Sequence, residues 1–377
     1  MPISDFDSAR EMAAWAEAPL DRAERDLLAL IAGSTPSPKS RRSDEDSKEL
    51  VDLLLRSWNI LPSISDSLFG ELAVLLPKQE LARIARARLA VTAFVKAQIA
   101  ACLPFVRALD RSGLNYALLK GSAMSFLAPE PPVLRAGWDF DVGVAYPDLK
   151  RAEALAAASG FWPAEYVPST KQFVHADPAL RAQVEAQHYE LGFFVRRLEV
   201  TNLSGETIDA IRTDPWTQRF WFGAGEKNPW CYAVLDIHHA ISRDIGLDEL
   251  LAEAGAVIIG GDRLRLPDPA WLAMHAIFKI YWEGVHGYGK GLYQYADLIR
   301  LLPRLTQVKF AHLVAILDRF NFIAGSYYVL RRLPLFGVAL PEFARQFVAA
   351  SRVPKPGTDP IQVNDLGDMW WKLWGRR

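Results

Sequence analysis

The chain has 377 residues, half of them apolar and 23% charged, with 43 Lys and Arg against 44 Asp and Glu. That is the composition of an ordinary globular chain with room for two or three domains. A formal net charge of −1 excludes a global bias toward nucleic acid, an anionic membrane or an acidic partner, so any polyanion must be held by a local site.

Cys102 and Cys231 are far apart, too few for a disulfide framework and without metal-like spacing, so a reducing compartment is expected. The acidic start, residues 1–7, lacks a signal-peptide pattern. No run of about twenty uncharged apolar residues is present to span a bilayer. The expectation is a soluble, cytoplasmic protein with no membrane partner.

In chain order, residues 8–32 carry helical periodicity closed by Gly33. Residues 34–48 have no apolar side chain and read as a flexible linker. Helical patterns resume over 50–58, 68–76 and a long stretch from 78 to 111, closed by Gly113. Residues 114–119 read as a short strand running into Lys120-Gly121-Ser122, with a helix over 123–128. A second strand contains Trp138-Asp139-Phe140-Asp141-Val142, and a helix over 149–159 ends at Gly160. Strands are expected at 190–195 and 198–202 inside a stretch, 161–228, that parses poorly. Over 231–241 a strand places Tyr232, Val234, Asp236 and His238 on one face, opposite Ala233, Leu235 and Ile237. Helices dominate from 268 onward, and Trp370, Trp371 and Trp374 cluster near the end.

The expected plan is therefore α/β, of the α+β kind: a mixed sheet core flanked by helical regions. We divide it into an N-terminal helical region, 1–110, a core, 111–245, and a C-terminal helical region, 246–377.

Asp139 and Asp141 are the informative pair. Two apart on a strand, their carboxylates share a face and repel unless a cation lies between them. A divalent cation held by oxygen ligands is the usual resolution. Lys120-Gly121-Ser122 adds a positive charge, a permissive backbone and a hydroxyl, which suit a phosphate. Together they read as a metal-and-phosphate site.

The order of these motifs resembles the nucleotidyltransferase superfamily whose best-known member is DNA polymerase beta. It is more closely similar to a bacterial branch described only as uncharacterised nucleotidyltransferases. The residues carrying the likeness are Leu118-Leu119-Lys120-Gly121, Arg135, Asp139-Phe140-Asp141, Asp236-Ile237-His238, Pro267-Asp268 with His275, and Tyr295-Ala296-Asp297-Leu298. Such sequences usually carry a small residue where this one has Trp138, and often a tryptophan where it has His239.

The resemblance implies a nucleotidyltransferase-type core that moves a nucleoside monophosphate from a triphosphate to a hydroxyl or phosphate oxygen. It implies Mg2+ or Mn2+ held by Asp139, Asp141 and Asp236, with Asp236 completing a metal site or accepting the nucleophile's proton. Gly121 and Ser122 would bind the terminal phosphates. Lys120 stands open between neutralising phosphate and pairing with an aspartate, and Arg135 between a bidentate phosphate clamp and a surface arginine. His238 reads as orienting a carboxylate, contacting substrate or serving the core, since magnesium prefers oxygen. His275, Lys279 and Asp297 read first as core or interhelical residues. Two other classes stand beside the enzyme: a scaffold of the same fold without turnover, which Trp138 favours, and a toxin–antitoxin enzyme acting on tRNA or protein. The acceptor is unidentified.

Overall fold

The structure, a computed structural model, describes residues 44–56, 58–64, 66–127, 135–213, 220–223, 229–242, 245–285, 292–336 and 338–350. The helix expected over 8–32 and the Trp370, Trp371, Trp374 cluster lie outside these residues. The chain divides into two compact units, one of residues 54–268 and one of 1–53 with 269–377.

The first described helix, α1 (Asp44–Arg56), starts inside the stretch read as linker. Glu45 and Asp46 put negative charge on its first turn, where the helix dipole favours it. Then α2 (Asp66–Leu75) leads into α3 (Lys78–Arg111). The buried positions of α3, Ile84, Ala87, Val91, Phe94, Val95, Gln98, Cys102, Phe105, Val106 and Leu109, recur every three or four residues and make one apolar stripe. This helix is long and apolar enough to cross a membrane, which corrects the expectation that no such segment exists. Its one interrupting charge over residues 89–106, Lys96, hid the segment from a search for uncharged runs. In the fold its stripe packs on the sheet, each large side chain contributing about 1.5–3 kcal/mol of burial.

Six strands form that sheet: β1 (Tyr116–Leu118), β2 (Phe140–Val144), β3 (Trp162–Val167), β4 (Gln172–His175), β5 (Glu190–Glu199) and β6 (Trp230–His238). Their spatial order is β1-β2-β6-β5-β3-β4. Only β2 and β6 run parallel; every other pair is antiparallel. Short α4 (Lys120–Met124) follows β1, and α5 (Leu149–Ala158), α6 (Pro178–Gln187) and α7 (Gly205–Thr213) follow in turn. The mixed α/β class is thus as the sequence reads.

The two faces of the sheet differ. Cys231, Ala233, Leu235 and Ile237 of β6 are fully buried. Phe194 of β5, in register with Leu235, lies under the guanidinium of Arg181 from α6 at 4.8 Å. The opposite face carries Asp141, Asp236 and His238. It continues into a cluster of Ala164, Phe173, Val195 and Val234, edged by half-buried Trp138, Trp162, Tyr166, Phe193 and Tyr232.

Several elements differ from expectation. Strand β5 runs unbroken where two were read, because a register shift between Glu190 and Phe193 absorbs Gly192, whose φ is +79°, and so preserves the alternation beyond it. After β6 come β7 (Ala240–Ser242), β8 (Ile245–Gly246) and α8 (Asp248–Glu253). A hairpin of β9 (Gly255–Ile259) and β10 (Asp262–Leu266) turns on Gly260-Gly261, both at positive φ. That hairpin lies where the C-terminal helical region was read to begin. Its strand β10 meets β1 and α3, where Tyr116 Oη donates to Arg263 O at 3.1 Å.

The second unit is helical: α9 (Pro269–Val285), α10 (Leu292–Leu301), α11 (Gln307–Arg319), α12 (Ile323–Arg332) and α13 (Glu342–Ala350). Helix α9 packs against α10, α11 and α12, burying Trp271, Ile277, Leu298, Leu313 and Val329.

Candidate metal centre

Parallel pairing of β2 with β6 places Asp141 directly beside Asp236 and Gly143 beside His238. Register partners on neighbouring strands point to the same side about 4.8 Å apart, so two carboxylates from distant parts of the sequence meet. Asp141 and Asp236 are each 2% exposed and His238 1%. Among the described residues, these three form the group able to hold a metal, with ligand atoms all within 4.8 Å of one another. His238 Nε2 lies 3.0 Å from Asp141 Oδ1 and 3.1 Å from Asp236 Oδ2. Asp139 sits one residue ahead of β2 and is half-buried. It shares the electrostatic field of the group without belonging to it.

Lys120 closes the cluster from the other strand connection. Its Nζ is 2.6 Å from Asp141 Oδ1 and 3.1 Å from His238 Nε2. The residue has φ +43°, the left-handed region that costs an L-residue about 1–2 kcal/mol. Next to it, Gly121 is required for space: a methyl group there would lie 2.6 Å from Arg135 Nη1. Arg135 is 9% exposed, lies across Gly121 and donates from Nη1 to Ala136 O at 2.9 Å. The buried Ser122 hydroxyl accepts from Asp141 N at 2.7 Å, and Leu119 N donates to Asp141 O at 3.1 Å. Both bonds tie the Lys-Gly-Ser turn to the carboxylate strand. Lys120, Gly121, Ser122 and Arg135 therefore lie beside Asp141, Asp236 and His238, while Asp139 stands at the edge of that group.

The charges resolve in a definite pattern. Burial disfavours the ionised form of Asp141, but Lys120 and His238 outweigh it and hold this carboxyl well below the usual carboxylate range. Asp236 is lowered in the same way, burial being outweighed by His238 and then Lys120. Asp139 goes the other way, pushed up to about 7 by burial and by the charge of Asp141. Burial and Lys120 oppose a charge on His238, yet Asp236 and Asp141 prevail and raise it to about 9. Lys120 stays charged, its burial outweighed by the three aspartates.

Sequence reasoning missed the surroundings of the imidazole. Glu190 Oε2 stands 3.7 Å from His238 Nδ1, and the Tyr189 ring stacks on His238 at 5.7 Å and 17°. A histidine-tyrosine-glutamate run at 188–190 was the available signal, but it fell in the stretch that parsed poorly. Trp138 packs among aromatic side chains. Its ring packs on Tyr166 at 5.9 Å and Phe220 at 5.7 Å, and Gln98 Nε2 donates to its carbonyl at 3.0 Å. His275, Lys279 and Asp297 belong to the helical unit, on α9 and α10.

The profile of a family described as uncharacterised nucleotidyltransferase matches residues 44–336. The chain belongs to that family. Neither the curated proteins nor the solved structures give a match. For a nucleotidyltransferase of this family the donor set fits a divalent cation by its chemistry: two carboxylate oxygens and an imidazole nitrogen converge. Asp236 Oδ1 is in addition buried with no hydrogen-bond partner among the described residues, a costly arrangement for an ionised oxygen unless something further binds there.

Proposed function

We propose that this nucleotidyltransferase transfers a nucleoside monophosphate from a nucleoside triphosphate to a hydroxyl or phosphate oxygen, with a divalent cation, Mg2+ or Mn2+, at Asp141, Asp236 and the adjoining Asp139. The observation carrying this reading is the register pairing of Asp141 with Asp236 beside the Lys120-Gly121 turn. It brings two buried carboxylates and the Lys120 ammonium side by side, the arrangement a cation site beside a bound phosphate would use. The acceptor oxygen attacks the α-phosphorus, the bond from that phosphorus to the α–β bridging oxygen breaks, and pyrophosphate leaves with the bridging oxygen.

When bound, the cation offsets phosphate charge and draws the triphosphate and the acceptor oxygen together. The chain's own residues do the rest. In this reading Lys120 and Arg135 supply the positive charge for the triphosphate, Arg135 through a planar donor fork. Gly121 keeps the backbone low enough for the triphosphate to approach. Asp236 Oδ1, the partnerless oxygen, takes the acceptor's proton. Positioning and charge neutralisation supply most of the rate.

The acceptor is a molecule that a near-neutral protein binds through a local surface. The two cysteines are free and buried, in keeping with a reducing compartment, and a cytoplasmic location is part of the proposal.

Calorimetry with each nucleoside triphosphate in Mg2+ or Mn2+, run alongside Asp139→Ala and Asp141→Ala, tests it. Metal-dependent binding lost in both variants supports the site, and α-phosphate label then finds the acceptor. A folded wild type that binds no triphosphate would rule the enzyme out and leave a scaffold of this fold.

A further inference from the structure

The proposed reaction assigns the cation to carboxylates, although the imidazole of His238 belongs to the same group of donor atoms. The placement of its ring says more. We propose that His238 Nε2 is a direct ligand of the cation, so that the centre selects a first-row transition cation such as Mn2+, Fe2+ or Co2+ over Mg2+. This deepens the proposed function and rests on it.

Three independent features converge. The first is distance. Cis ligands of an octahedral cation bound at about 2.1 Å lie about 3.0 Å apart, √2 times the bond length. Nε2 is 3.0 Å from Asp141 Oδ1 and 3.1 Å from Asp236 Oδ2, so the three atoms are spaced as two edges of one coordination octahedron.

The second is the far side of the ring. Metal-bound histidines nearly always turn their other nitrogen toward a carboxylate, carbonyl or water, which sets the tautomer and the ring's direction. Here Glu190 Oε2 faces Nδ1 at 3.7 Å, and Tyr189 stacks on the ring. Glu190 is shared with His188, whose Nδ1 lies 3.4 Å from its Oε1, and its other oxygen is the acid nearest the far side of the His238 ring.

The third is incompleteness. Asp236 Oδ1 is buried without a hydrogen-bond partner among the described residues, so the protein's own groups do not saturate the donor set.

The consequence for selectivity follows from ligand chemistry. Mg2+ demands oxygen and parts with its waters reluctantly, whereas an imidazole nitrogen suits the later divalent ions and raises their affinity in the Irving–Williams order. A third carboxylate in place of His238 would have kept the centre indifferent to that distinction. With an imidazole, the same backbone geometry separates Mg2+ from Mn2+, Fe2+ and Co2+.

The test uses the full chain with Mn2+ and no nucleotide, so that any nitrogen at the ion comes from protein. Pulsed electron paramagnetic resonance of bound Mn2+ is expected to show 14N modulation of a directly bound imidazole, absent in His238→Gln. Competition of Mg2+ against Mn2+ should show the wild-type preference for Mn2+ falling about tenfold or more in that variant, and Glu190→Gln weakening Mn2+ binding about 10- to 100-fold while keeping the nitrogen signal. The wild-type spectrum decides even where a variant folds poorly. Mn2+ bound in an Asp141-dependent manner without 14N modulation would overturn histidine ligation and leave nucleotidyl transfer standing. Absence of any Asp141-dependent ion binding, with or without triphosphate, would remove both.

Discussion

Lys120→Met tests the charge pattern of the site most directly. In the structure Lys120 Nζ contacts Asp141 Oδ1 at 2.6 Å, with the lysine side chain 20% exposed and the aspartate 3%. At an effective dielectric of about 20 the pair attracts by roughly 6 kcal/mol. Part of that is offset by the desolvation that the ammonium no longer suffers, and His238 remains to share Asp141. The expected net loss is about 3 kcal/mol, the lower end for breaking a buried pair by removing one partner. For a unit of this size that lowers the melting temperature by about 6–12 °C. The methionine keeps most of the stem volume, so packing contributes little to the loss.

The assay is thermal unfolding of wild type and variant in chelator and then in saturating Mn2+. Because the ammonium and a divalent cation draw on the same two atoms, Asp141 Oδ1 and His238 Nε2, removing Lys120 destabilises the metal-free chain yet eases ion entry. Mn2+ should therefore raise the variant's melting temperature more than that of the wild type and bind it about tenfold tighter without nucleotide. On the proposed function nucleotide affinity should fall at the same time, because the charge assigned to the phosphates is removed. A variant that melts with the wild type in chelator, or that binds Mn2+ more weakly, would refute the idea that Lys120 stands in the cation's place.

Three further outcomes are expected. Asp236→Asn keeps the shape of the side chain and removes its charge; metal-dependent nucleotidyl transfer should fall about 10³-fold in kcat, and unchanged turnover in a steady-state assay would exclude Asp236 from the chemistry. In the metal-free protein, Asp139 is raised from 3.8 to about 7 and His238 from 6.5 to about 9, so the folded state holds protons that the unfolded state has released. Stability should accordingly fall as pH rises from about 4 to 9, with the His238 contribution complete below pH 6.5 and lost through pH 9. Saturating Mn2+ should flatten that decline, and a melting temperature that climbs with pH over this window would contradict the assignment. Gly121→Ala puts a methyl 2.6 Å from Arg135 Nη1; with Arg135 buried, the guanidinium must move, and triphosphate affinity measured by calorimetry should drop about tenfold while the Mn2+ affinity of the free protein stays within twofold.

The local information in this chain is strong where periodicity is strong. The spacing of Ile84, Val91, Phe94, Val95, Cys102, Phe105 and Leu109 specifies α3 by itself, and Gly113 and Gly160, at φ +66° and +85°, mark the two helix ends that sequence placed there. The alternation of β6, with Asp236 and His238 opposite Leu235 and Ile237, also needed nothing beyond a period of two. Stretches with mixed signals were not legible. The alternation at the start of β5 is broken by a register shift between Glu190 and Phe193, and the hairpin at 255–266 is short, with Ala256, Ile258 and Arg263 exposed. The site divides along the same line. Sequence alone named Asp139, Asp141, Asp236 and the Lys120-Gly121-Ser122 turn as candidates, since residue type and near-neighbour spacing are local properties. That Asp141 lies beside Asp236 was decided by parallel pairing across some ninety residues, a choice among strand partners that no local pattern encodes. The same pairing put His238 Nε2 between two carboxylates and Glu190 behind it, because the faces and neighbours of a strand are set only when the sheet closes.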